Sequence, residues 1–530
     1  MLRILMKIGL AAKLGVAAAA LIPAAPALAQ EQPLVIARHL EINSLDPSRA
    51  FCDTCQIYLS STYEGLVKLG ADNKSIEPLL AESWEVNADQ TVFTFKLRSD
   101  AVFSDGSPVE AKDVKWTFER LKNLKADASF MMAPVKSIET PDSHTVVITM
   151  ESPNSEFLGV LTAPYTGIIN STVAGEAGAA AGEDAAASDK AEGWFQSNSA
   201  GSGPYMLKSY AADDELRFVA NEKYWGKKPA ISEIVIHETA DAVSQAQALQ
   251  GGSADIAMQI DPDTAKTISS PDLTLQTVPS YNFIYVVFSP GAEGNKVPLT
   301  KEVRQALAYA IDYESLIQFT VGGEGKLQAA PIPNGFPGTA DLPMPVQDLD
   351  KAKELLAKAG LADGFEIDAP VAQMNVYGVD LVLLMQKIQQ DLARVNVKLN
   401  IQPLASSVWR EQAAKPGVPF SARFYAPDYY GSAQYVQFFG MVPDSFWLTR
   451  ASQGKEDLLN KKEADLLVKA FAAPEAEREA IYHDIAMEMI DDRIIVPVVS
   501  PNLVLAYRND VAGVRYSACC NLPLAELSRK

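Results

Sequence analysis

The residues of this sequence best suited to binding a small molecule lie in the segment RFYAPDYYGSAQY, residues 423–435. A carboxylate in a closed cavity can pair with a cation, an arginine can bind a carboxylate through two hydrogen bonds, and a tyrosine offers a flat apolar face with a hydroxyl at its edge. We predict that the segment contacts a ligand through Arg423, Tyr425, Asp428, Tyr429 and Tyr430. The alternative is that the rings pack in a core, the acid caps a helix and the arginine lies on the surface.

Motifs of catalytic and metal sites are absent from the sequence. The four histidines are scattered and form neither an HExxH motif nor a pair on one helix face, and the sequence has no GxxxxGK[ST] phosphate loop and no GxSxG motif. A fold can still assemble a catalytic triad from distant residues. The sequence gives no positive reason to expect an enzyme, and we expect no metal and no other cofactor.

Length and charge restrict the class of protein. A chain of 530 residues with 48% hydrophobic residues is long enough for more than one domain. Its formal net charge of −20 repels phosphate backbones and anionic lipid headgroups, which argues against nucleic acid as a partner. We expect a freely diffusing, monomeric globular protein.

The N-terminal segment has the features of an export signal. A short basic start, MLRILMK, precedes a mostly apolar run, and Ala27, Leu28 and Ala29 supply a peptidase site, so residues 1–29 are predicted to be cleaved. The alternative, a membrane anchor, is disfavoured because Lys13 and two prolines interrupt the run. We predict a periplasmic protein.

Four cysteines form two closely spaced pairs, Cys52 with Cys55 and Cys519 with Cys520. Export to an oxidising compartment favours disulfides, and four cysteines allow three pairings. A bond between adjacent cysteines would be strained, and a bond between the pairs would tie the chain ends together. CxxC is also a redox motif, although its surroundings here do not resemble those in thioredoxin. The pairing is left open.

The elements that would position these residues follow an α/β pattern. In QTVFTFKLR, apolar and polar residues alternate as in a half-buried strand, and Val114, Phe118 and Leu121 mark one face of a helix. A helical stripe over residues 381–392 runs into the strand pattern VNVKLNI, and a further helical pattern, residues 461–491, breaks at Pro474. Residues 171–193, rich in Ala, Gly and acids, are predicted to be a flexible surface insertion.

Several segments in order along the chain carry a family resemblance. They are EPLLAESWEVNADQTVFTFKLRSDAVFSDGSPVEAKDVKWTFERL, GSGPYMLKSY, VANEKYWGKKPAISEIVIHE, GGSADIA, VRQALAYAIDYESLI and LDKAKELLAKAGLADGFEI. Together they resemble the family 5 solute-binding proteins of ABC importers, the dipeptide and oligopeptide binders. The resemblance implies a two-lobed α/β protein of the Venus-flytrap type that binds ligand between its lobes and delivers it to the transmembrane subunits of an ABC permease.

The resemblance also implies a domain arrangement. The first lobe would comprise residues 30–284, with an extra subdomain at about residues 60–195. The second lobe would comprise residues 285–495, and residues 496–530 would return to the first. The two crossings, near SYNFIYVVF and VPVVSPN, would form the hinge.

The resemblance extends to the tyrosine-rich segment, with departures. Peptide-binding members have a segment similar to W-x-A-D-Y-P-D-P whose aspartate pairs with the ligand's α-ammonium group. Asp428 and Tyr429 match its aspartate and tyrosine, but Pro427 replaces the alanine and Tyr430, Gly431 and Ser432 replace the PDP. Further candidates are Tyr281 and Asn282 at the first crossing, Asn43 and Ser44 in the facing loop, and Trp447, for which a core position is the alternative.

Three functions follow as hypotheses. The first is an exported solute-binding protein for a dipeptide, a short peptide or a peptide-like solute. The second is an opine or oligosaccharide binder on the same fold, since the departures in the segment weaken the peptide assignment. The third, from a different class, is a thiol–disulfide oxidoreductase using Cys52 and Cys55.

Overall fold

The computed structural model describes residues 32–530 apart from the side chain of Glu456, so the predicted signal peptide, residues 1–29, lies outside it. Within the described range, no helix combines the length and apolar character needed to cross a membrane.

Strands run through the whole of the described chain. They are β1 (Leu34–Arg38), β2 (Val67–Leu69), β3 (Ile76–Pro78), β4 (Ala81–Val86), β5 (Val92–Leu97), β6 (Val135–Asp142), β7 (Thr145–Met150), β8 (Tyr205–Ala211), β9 (Glu215–Ala220), β10 (Glu233–Glu238), β11 (Ile256–Ala257), β12 (Leu273–Val278), β13 (Phe283–Phe288), β14 (Gly325–Lys326), β15 (Phe365–Ala372), β16 (Asn375–Val376), β17 (Val379–Asp380), β18 (Val397–Leu404), β19 (Phe420–Tyr425), β20 (Ile495–Pro501), β21 (Leu503–Arg508), β22 (Val511–Ala512) and β23 (Ser528–Arg529).

Helices alternate with these strands. They are α1 (Asp53–Thr62), α2 (Ala111–Asn123), α3 (Phe157–Val160), α4 (Ser171–Glu176), α5 (Ala185–Ser188), α6 (Glu192–Phe195), α7 (Ala242–Gly251), α8 (Pro262–Ala265), α9 (Lys301–Ala310), α10 (Tyr313–Val321), α11 (Leu349–Lys358), α12 (Leu381–Ala393), α13 (Ser406–Ala414), α14 (Ala433–Phe439), α15 (Phe446–Ser452), α16 (Lys461–Ala472) and α17 (Glu475–Asp492). Short 3₁₀ helices span Asp127–Met131, Pro164–Thr166, Glu456–Leu458 and Leu524–Glu526.

A seven-stranded sheet is built from both ends of the chain, in the order β12-β21-β11-β1-β10-β9-β8. Strand β1 pairs in parallel with β10 and β11, while β21 pairs antiparallel with β11 and β12. The C-terminal part of the chain therefore completes a sheet that the N-terminal part begins. A separate four-stranded antiparallel sheet, β4-β5-β7-β6, carries the alternating segment of β5, in which Phe93, Phe95 and Leu97 are buried as predicted.

The middle of the chain forms a second four-stranded sheet, β14-β20-β13-β19. Beside it, β15, α12 and β18 make a parallel β-α-β unit, as the predicted helix followed by a strand indicated. The apolar stripe of α12, Leu381, Leu384, Met385, Ile388 and Leu392, is buried as a whole. Helices α16 and α17 confirm the predicted break at Pro474, which is the N-cap of α17.

The buried apolar side chains form two large cores. The first core contains side chains of β1, β5, β7 and α1, and the second contains those of β13, β19, β20 and α12. The architecture is α/β, as predicted. The lobe boundaries near residues 284 and 495 stay a prediction.

Residues 171–193 were predicted to be a flexible surface insertion. They lie at the surface, since most of them are exposed or half-buried, but the expected flexibility is wrong because the segment is helical and anchored. The segment contains helices α4 and α5 and the start of α6. The side chain of Asp189 is fully buried, where its carboxylate accepts hydrogen bonds from Arg120 at 2.9 Å and from Arg49 at 3.1 Å. Arg120 also binds Asp46 through two hydrogen bonds of 2.6 Å. A largely buried network of two arginines and two acids therefore anchors this segment.

Candidate functional site

A cavity of about 450 Å³ lies between residues of the two cores. One wall comes from the loop after β1, the start of α1, and the short helices near residues 127 and 165. The other comes from β13, α13, β19 and the segment from the end of β19 to α15. The polar lining consists of Glu41, Asn43, Asp53, Gln56, Asp127, Arg410, Arg423, Asp428 and Arg450, and the ring lining of Phe51, Tyr165, Tyr285, Trp409, Phe424, Tyr425, Phe438, Phe446 and Trp447.

Asp428 is the most deeply buried charge-bearing group in this lining, with 2% of its surface exposed. Antiparallel pairing of β19 with β13 brings the chain to this point, and Asp428 follows three residues after the strand ends. Its carboxylate accepts hydrogen bonds from the Tyr425 hydroxyl at 2.8 Å and from Gln56 Nε2 at 2.9 Å. Burial raises the pKa of Asp428 to about 7, and these neutral donors oppose that shift. None of the described cationic side chains forms an ion pair with it.

Arg423 also lies on the wall, two residues before Tyr425 on β19. Its guanidinium lies over the ring of Trp409, 4.3 Å from the centroid, which is a cation–π geometry. Nη2 is 3.8 Å from Glu41 Oε1, and the same carboxylate oxygen is 3.6 Å from Arg410 Nη1. Two arginines therefore share one acid on this side of the cavity.

Arg450 is a half-buried cation on α15 that sequence reasoning missed. Its guanidinium stacks on Phe446, one helical turn earlier, 3.4 Å from the ring centroid. Burial lowers the pKa of Arg450, and the carboxylate of Asp127, also in the lining, opposes that effect. Among the side chains that the structure describes, none forms an ion pair or hydrogen bond with this guanidinium. Its donors are therefore free to bind a molecule in the cavity.

Tyr429 and Tyr430 lie outside the lining. The Tyr429 side chain is fully buried in the first core, against Gly159, although its backbone follows strand β19 of the second sheet. The Tyr430 hydroxyl donates to the Gly335 carbonyl at 3.0 Å, and its ring packs against Phe336. Both rings therefore pack against other parts of the protein, and neither reaches the cavity.

Tyr281 and Asn282 lie before β13 and likewise outside the lining. Tyr281 packs edge-on to Phe336 at 4.9 Å. The buried Asn282 donates to Asn521 Oδ1 at 3.0 Å and accepts from the Tyr516 hydroxyl at 3.1 Å. Asn521 in turn donates to Asp53, which lines the cavity and pairs with Arg38 at 2.8 Å. Asn282 thus reaches the cavity wall through Asn521.

A comparison with protein families settles the class of this chain. Residues 75–444 match the family model of the bacterial extracellular solute-binding proteins, family 5 middle region. The chain belongs to this family. The probable D,D-dipeptide-binding periplasmic protein DdpA of Escherichia coli K12 is 26% identical over 506 residues, covering 93% of each chain. Family 5 relatives are solute-binding proteins of ABC transporters, which confirms the resemblance seen in the sequence.

Solved structures agree with the fold. A Helicobacter pylori periplasmic binding protein, DppA, in complex with the peptide STSA has a TM-score of 0.82 at 21% identity and covers 94% of this chain and 98% of its own. The protein AgaA of A. tumefaciens in complex with agropinic acid has a TM-score of 0.79 at 24% identity and covers 94% of this chain and 99% of its own. The two-lobed α/β fold of family 5 is therefore the fold of this chain.

The cysteines of this family 5 protein differ in state. Cys52 and Cys55 form a disulfide, and Cys52 is the N-cap of α1 and lines the cavity. Cys519 and Cys520 carry free thiols. The bonded pair is thus local, and no bond links the chain ends within the described residues.

Other candidates divide between the lining and its surroundings. Asn43 lines the cavity, whereas Ser44 is buried beside it, with its carbonyl oxygen 3.4 Å from Cys55 Sγ. Trp447 lines the cavity while its indole donates to the Tyr285 hydroxyl at 3.2 Å, so it combines a wall position with a core position. Besides Arg450, sequence reasoning missed Glu41, Gln56, Tyr165, Trp409 and Arg410, which reach the cavity only through the fold.

Proposed function

We propose that this family 5 protein captures a small zwitterionic solute, such as a dipeptide, a short peptide or a peptide-like compound, and delivers it to an ABC permease. One observation carries the ligand class: Asp428 and Arg450 line the same cavity with opposite charges, and neither has an ion-pair partner among the described residues. Leaving a charge buried and unpaired is costly, so a ligand that carries both a cation and an anion compensates both groups.

The rest of the lining supports a compound with apolar parts. Phe51, Tyr165, Phe438, Phe446 and Trp447 form an aromatic surface beside the charged groups. Polar groups that converge beside an aromatic surface are typical of small-molecule sites, and a volume of about 450 Å³ is in the usual range. In the proposed complex, Asp428 binds the ligand's ammonium group, Arg450 its carboxylate, and the rings its side chains.

The family supports a role in import. Relatives are named as dipeptide-binding and di/tripeptide-binding proteins, and one is named as periplasmic. We infer that this chain works in the periplasm after removal of residues 1–29, and that closure of the lobes around the ligand produces the surface that the permease recognises. An oligosaccharide could stack on the aromatic side chains, but it would leave the charges of Asp428 and Arg450 without a counter-ion.

Native mass spectrometry of the purified protein, followed by thermal unfolding with a ligand panel, tests this function. The panel contains dipeptides, tetrapeptides, opines and oligosaccharides, with N-acetylated and C-amidated dipeptides as matched controls. A zwitterion should stabilise the fold by ~2.7 kcal/mol at about a hundred times its Kd, and blocking either terminus should reduce this. A shift with neutral oligosaccharides alone would overturn the proposed ligand class.

A further inference from the structure

Two free thiols touch in a tight turn near the C-terminus. The turn runs from Ser517 to Asn521, whose backbones exchange hydrogen bonds at 3.1 and 2.8 Å. Within it the Cys519 thiol donates to Cys520 Sγ at 3.2 Å, and Ser517 Oγ lies 3.3 Å from Cys519 Sγ. Cys519 is half-buried and Cys520 is buried. Neither residue belongs to the cavity lining.

The surroundings favour a thiolate in this pair. The hydrogen bond from Cys519 lowers the pKa of Cys520, and Ser517, Ser60 and the nearby Arg515 act in the same direction against the effect of burial. A thiolate, rather than a thiol, is the nucleophile in disulfide exchange. The same hydrogen bond raises the pKa of Cys519, so the negative charge rests on the buried Cys520. The half-buried Cys519 becomes the nucleophile when its proton passes along this bond to Cys520 Sγ.

We propose that Cys519 and Cys520 form a reversible oxidation site, which a disulfide of the glutathione or protein class converts to a vicinal disulfide. The Cys519 thiolate attacks one sulfur of the oxidant, which forms a mixed disulfide and releases one thiolate. Cys520 then attacks Cys519 Sγ, loses its proton and expels the second thiolate. The two cysteines lose two electrons and two protons, and the oxidant is reduced to two thiols.

The chain geometry makes the product easy to reduce. Adjacent Cα atoms are about 3.8 Å apart, which is below the usual Cα separation of disulfides, so the bond is strained. Strained disulfides have more oxidising potentials and belong to the labile class. The Cys52–Cys55 bond, with Cα atoms 5.0 Å apart, is within the usual range.

The turn is connected to both the crossing and the cavity. Asn521 follows Cys520 directly, has a positive φ of 54°, and accepts from Asn282 at the first crossing while donating to Asp53 on the cavity wall. Closing an eight-membered ring at residues 519 and 520 changes the backbone of this turn and so moves the Asn521 side chain. Oxidation therefore alters the link between Asn282 and Asp53, whatever the ligand is.

Peptide mapping of the full-length protein tests the oxidation site. Trypsin releases residues 516–529 as one peptide that holds both thiols and neither cysteine of the other pair. After incubation with oxidised glutathione and trapping with iodoacetamide, this peptide should lose two hydrogens and take no alkyl group, and dithiothreitol should restore alkylation of both thiols. Full alkylation after oxidation, or a cross-link to the peptide that contains Cys52 and Cys55, would overturn the proposal.

A variant and a second readout complete the test. In Cys520→Ser the ring cannot close, so Cys519 should retain glutathione as a stable mixed disulfide. Hydrogen exchange should differ between the oxidised and reduced wild-type protein at the start of α1 and at residues 281–284, and should not respond to oxidised glutathione there in the Cys519→Ser/Cys520→Ser variant. Identical exchange in both states of the wild type would refute the connection through Asn521. Neither readout requires a ligand, so both are independent of the proposed transport function.

Discussion

Gln56 and Asp428 are joined by a hydrogen bond of 2.9 Å although 372 residues separate them in sequence. Gln56 lies on α1 beside the first core, and Asp428 follows the strand β19 of the second sheet. Because the amide is neutral, it orients the carboxylate without neutralising its charge. The bond therefore holds Asp428 at the wall of the cavity without pairing its charge.

Replacing Asp428 tests its proposed contact with the ligand. Asp428→Asn removes the charge at nearly constant shape, and we expect the affinity for a zwitterionic ligand from the panel to fall by ~2–5 kcal/mol, because the ligand's ammonium group would be left without its partner. Isothermal titration calorimetry measures the change. Asp444→Asn, an exposed acid outside the cavity lining, is the matched control. Unchanged affinity in Asp428→Asn would contradict the assignment.

The pH dependence of affinity follows from the raised pKa of Asp428. Burial raises this pKa to about 7, so the carboxyl is largely neutral below that pH and ionised above it. A cationic group binds the ionised form, so affinity should rise from about pH 5 to about pH 7 and should fall by up to about tenfold per pH unit on acidification. Titrations across this range with the wild type and Asp428→Asn check the prediction. Equal slopes for both proteins would assign the pH dependence to another group.

Arg450 is expected to select ligands with a carboxylate. Arg450→Met keeps an unbranched side chain against Phe446 but removes the charge, so affinity for a dipeptide should fall while affinity for its C-amide should change little. The double comparison of protein and ligand isolates the contact. Lys455→Met, an exposed cation just after α15, serves as control. An equal loss for both ligands would indicate that Arg450 acts through packing alone.

The buried Asp189 should contribute strongly to stability. Asp189→Asn removes a charged partner of Arg120 and Arg49, and breaking a buried ion pair typically costs about 3–5 kcal/mol; we expect about 3 because Arg120 retains Asp46. Urea unfolding measures the loss. Asp184→Asn, exposed in the same segment, should change the free energy of unfolding by less than about 0.5 kcal/mol. A similarly small effect of Asp189→Asn would contradict the claim that its ion pairs anchor residues 171–193.

The raised pKa of Glu463 makes the free energy of unfolding depend on pH. It is fully buried, one carboxyl oxygen accepts from the Met441 amide and the other has no partner, and burial raises its pKa to about 8. The folded state therefore holds a proton that the unfolded state releases near pH 4.5. This contribution is complete below about pH 4.5 and is lost as pH rises to about 8, at up to about 1.4 kcal/mol per pH unit.

Glu463→Gln should therefore lose stability less steeply than the wild type between about pH 5 and about pH 8, because its side chain does not titrate. Urea unfolding at several pH values gives the two slopes. Glu479→Gln, exposed on α17, should follow the wild type. Parallel curves for wild type and Glu463→Gln would show that this carboxyl does not titrate in the predicted range.

The sequence predicted those parts of the fold that local periodicity determines. The alternation in β5 and the stripe of α12 each specify one buried face, so the elements follow from the residues alone. The flexibility predicted for residues 171–193 was wrong because composition does not show that Asp189 pairs with Arg120, 69 residues away. Family resemblance, rather than periodicity, supplied the two-lobed arrangement.

The candidate site was predictable in part, for the same reason. Asp428, Tyr425 and Arg423 lie in one unusual segment, and all three reach the cavity. Tyr429 and Tyr430 look equivalent to Tyr425 in sequence, but their side chains leave the chain in other directions and pack elsewhere. Arg450 could not be identified from the sequence, because its lack of an ion-pair partner depends on which side chains the fold places around it.

The burial of Tyr429 ties one side of the cavity to the other. The residue adjoins Asp428, yet its ring fills a space in the first core, where none of its surface is exposed. Withdrawing an aromatic side chain of this kind into water costs about 1.5–3 kcal/mol. The chain between β19 and α14 is therefore held against the first core by packing as well as by the hydrogen bond between Gln56 and Asp428.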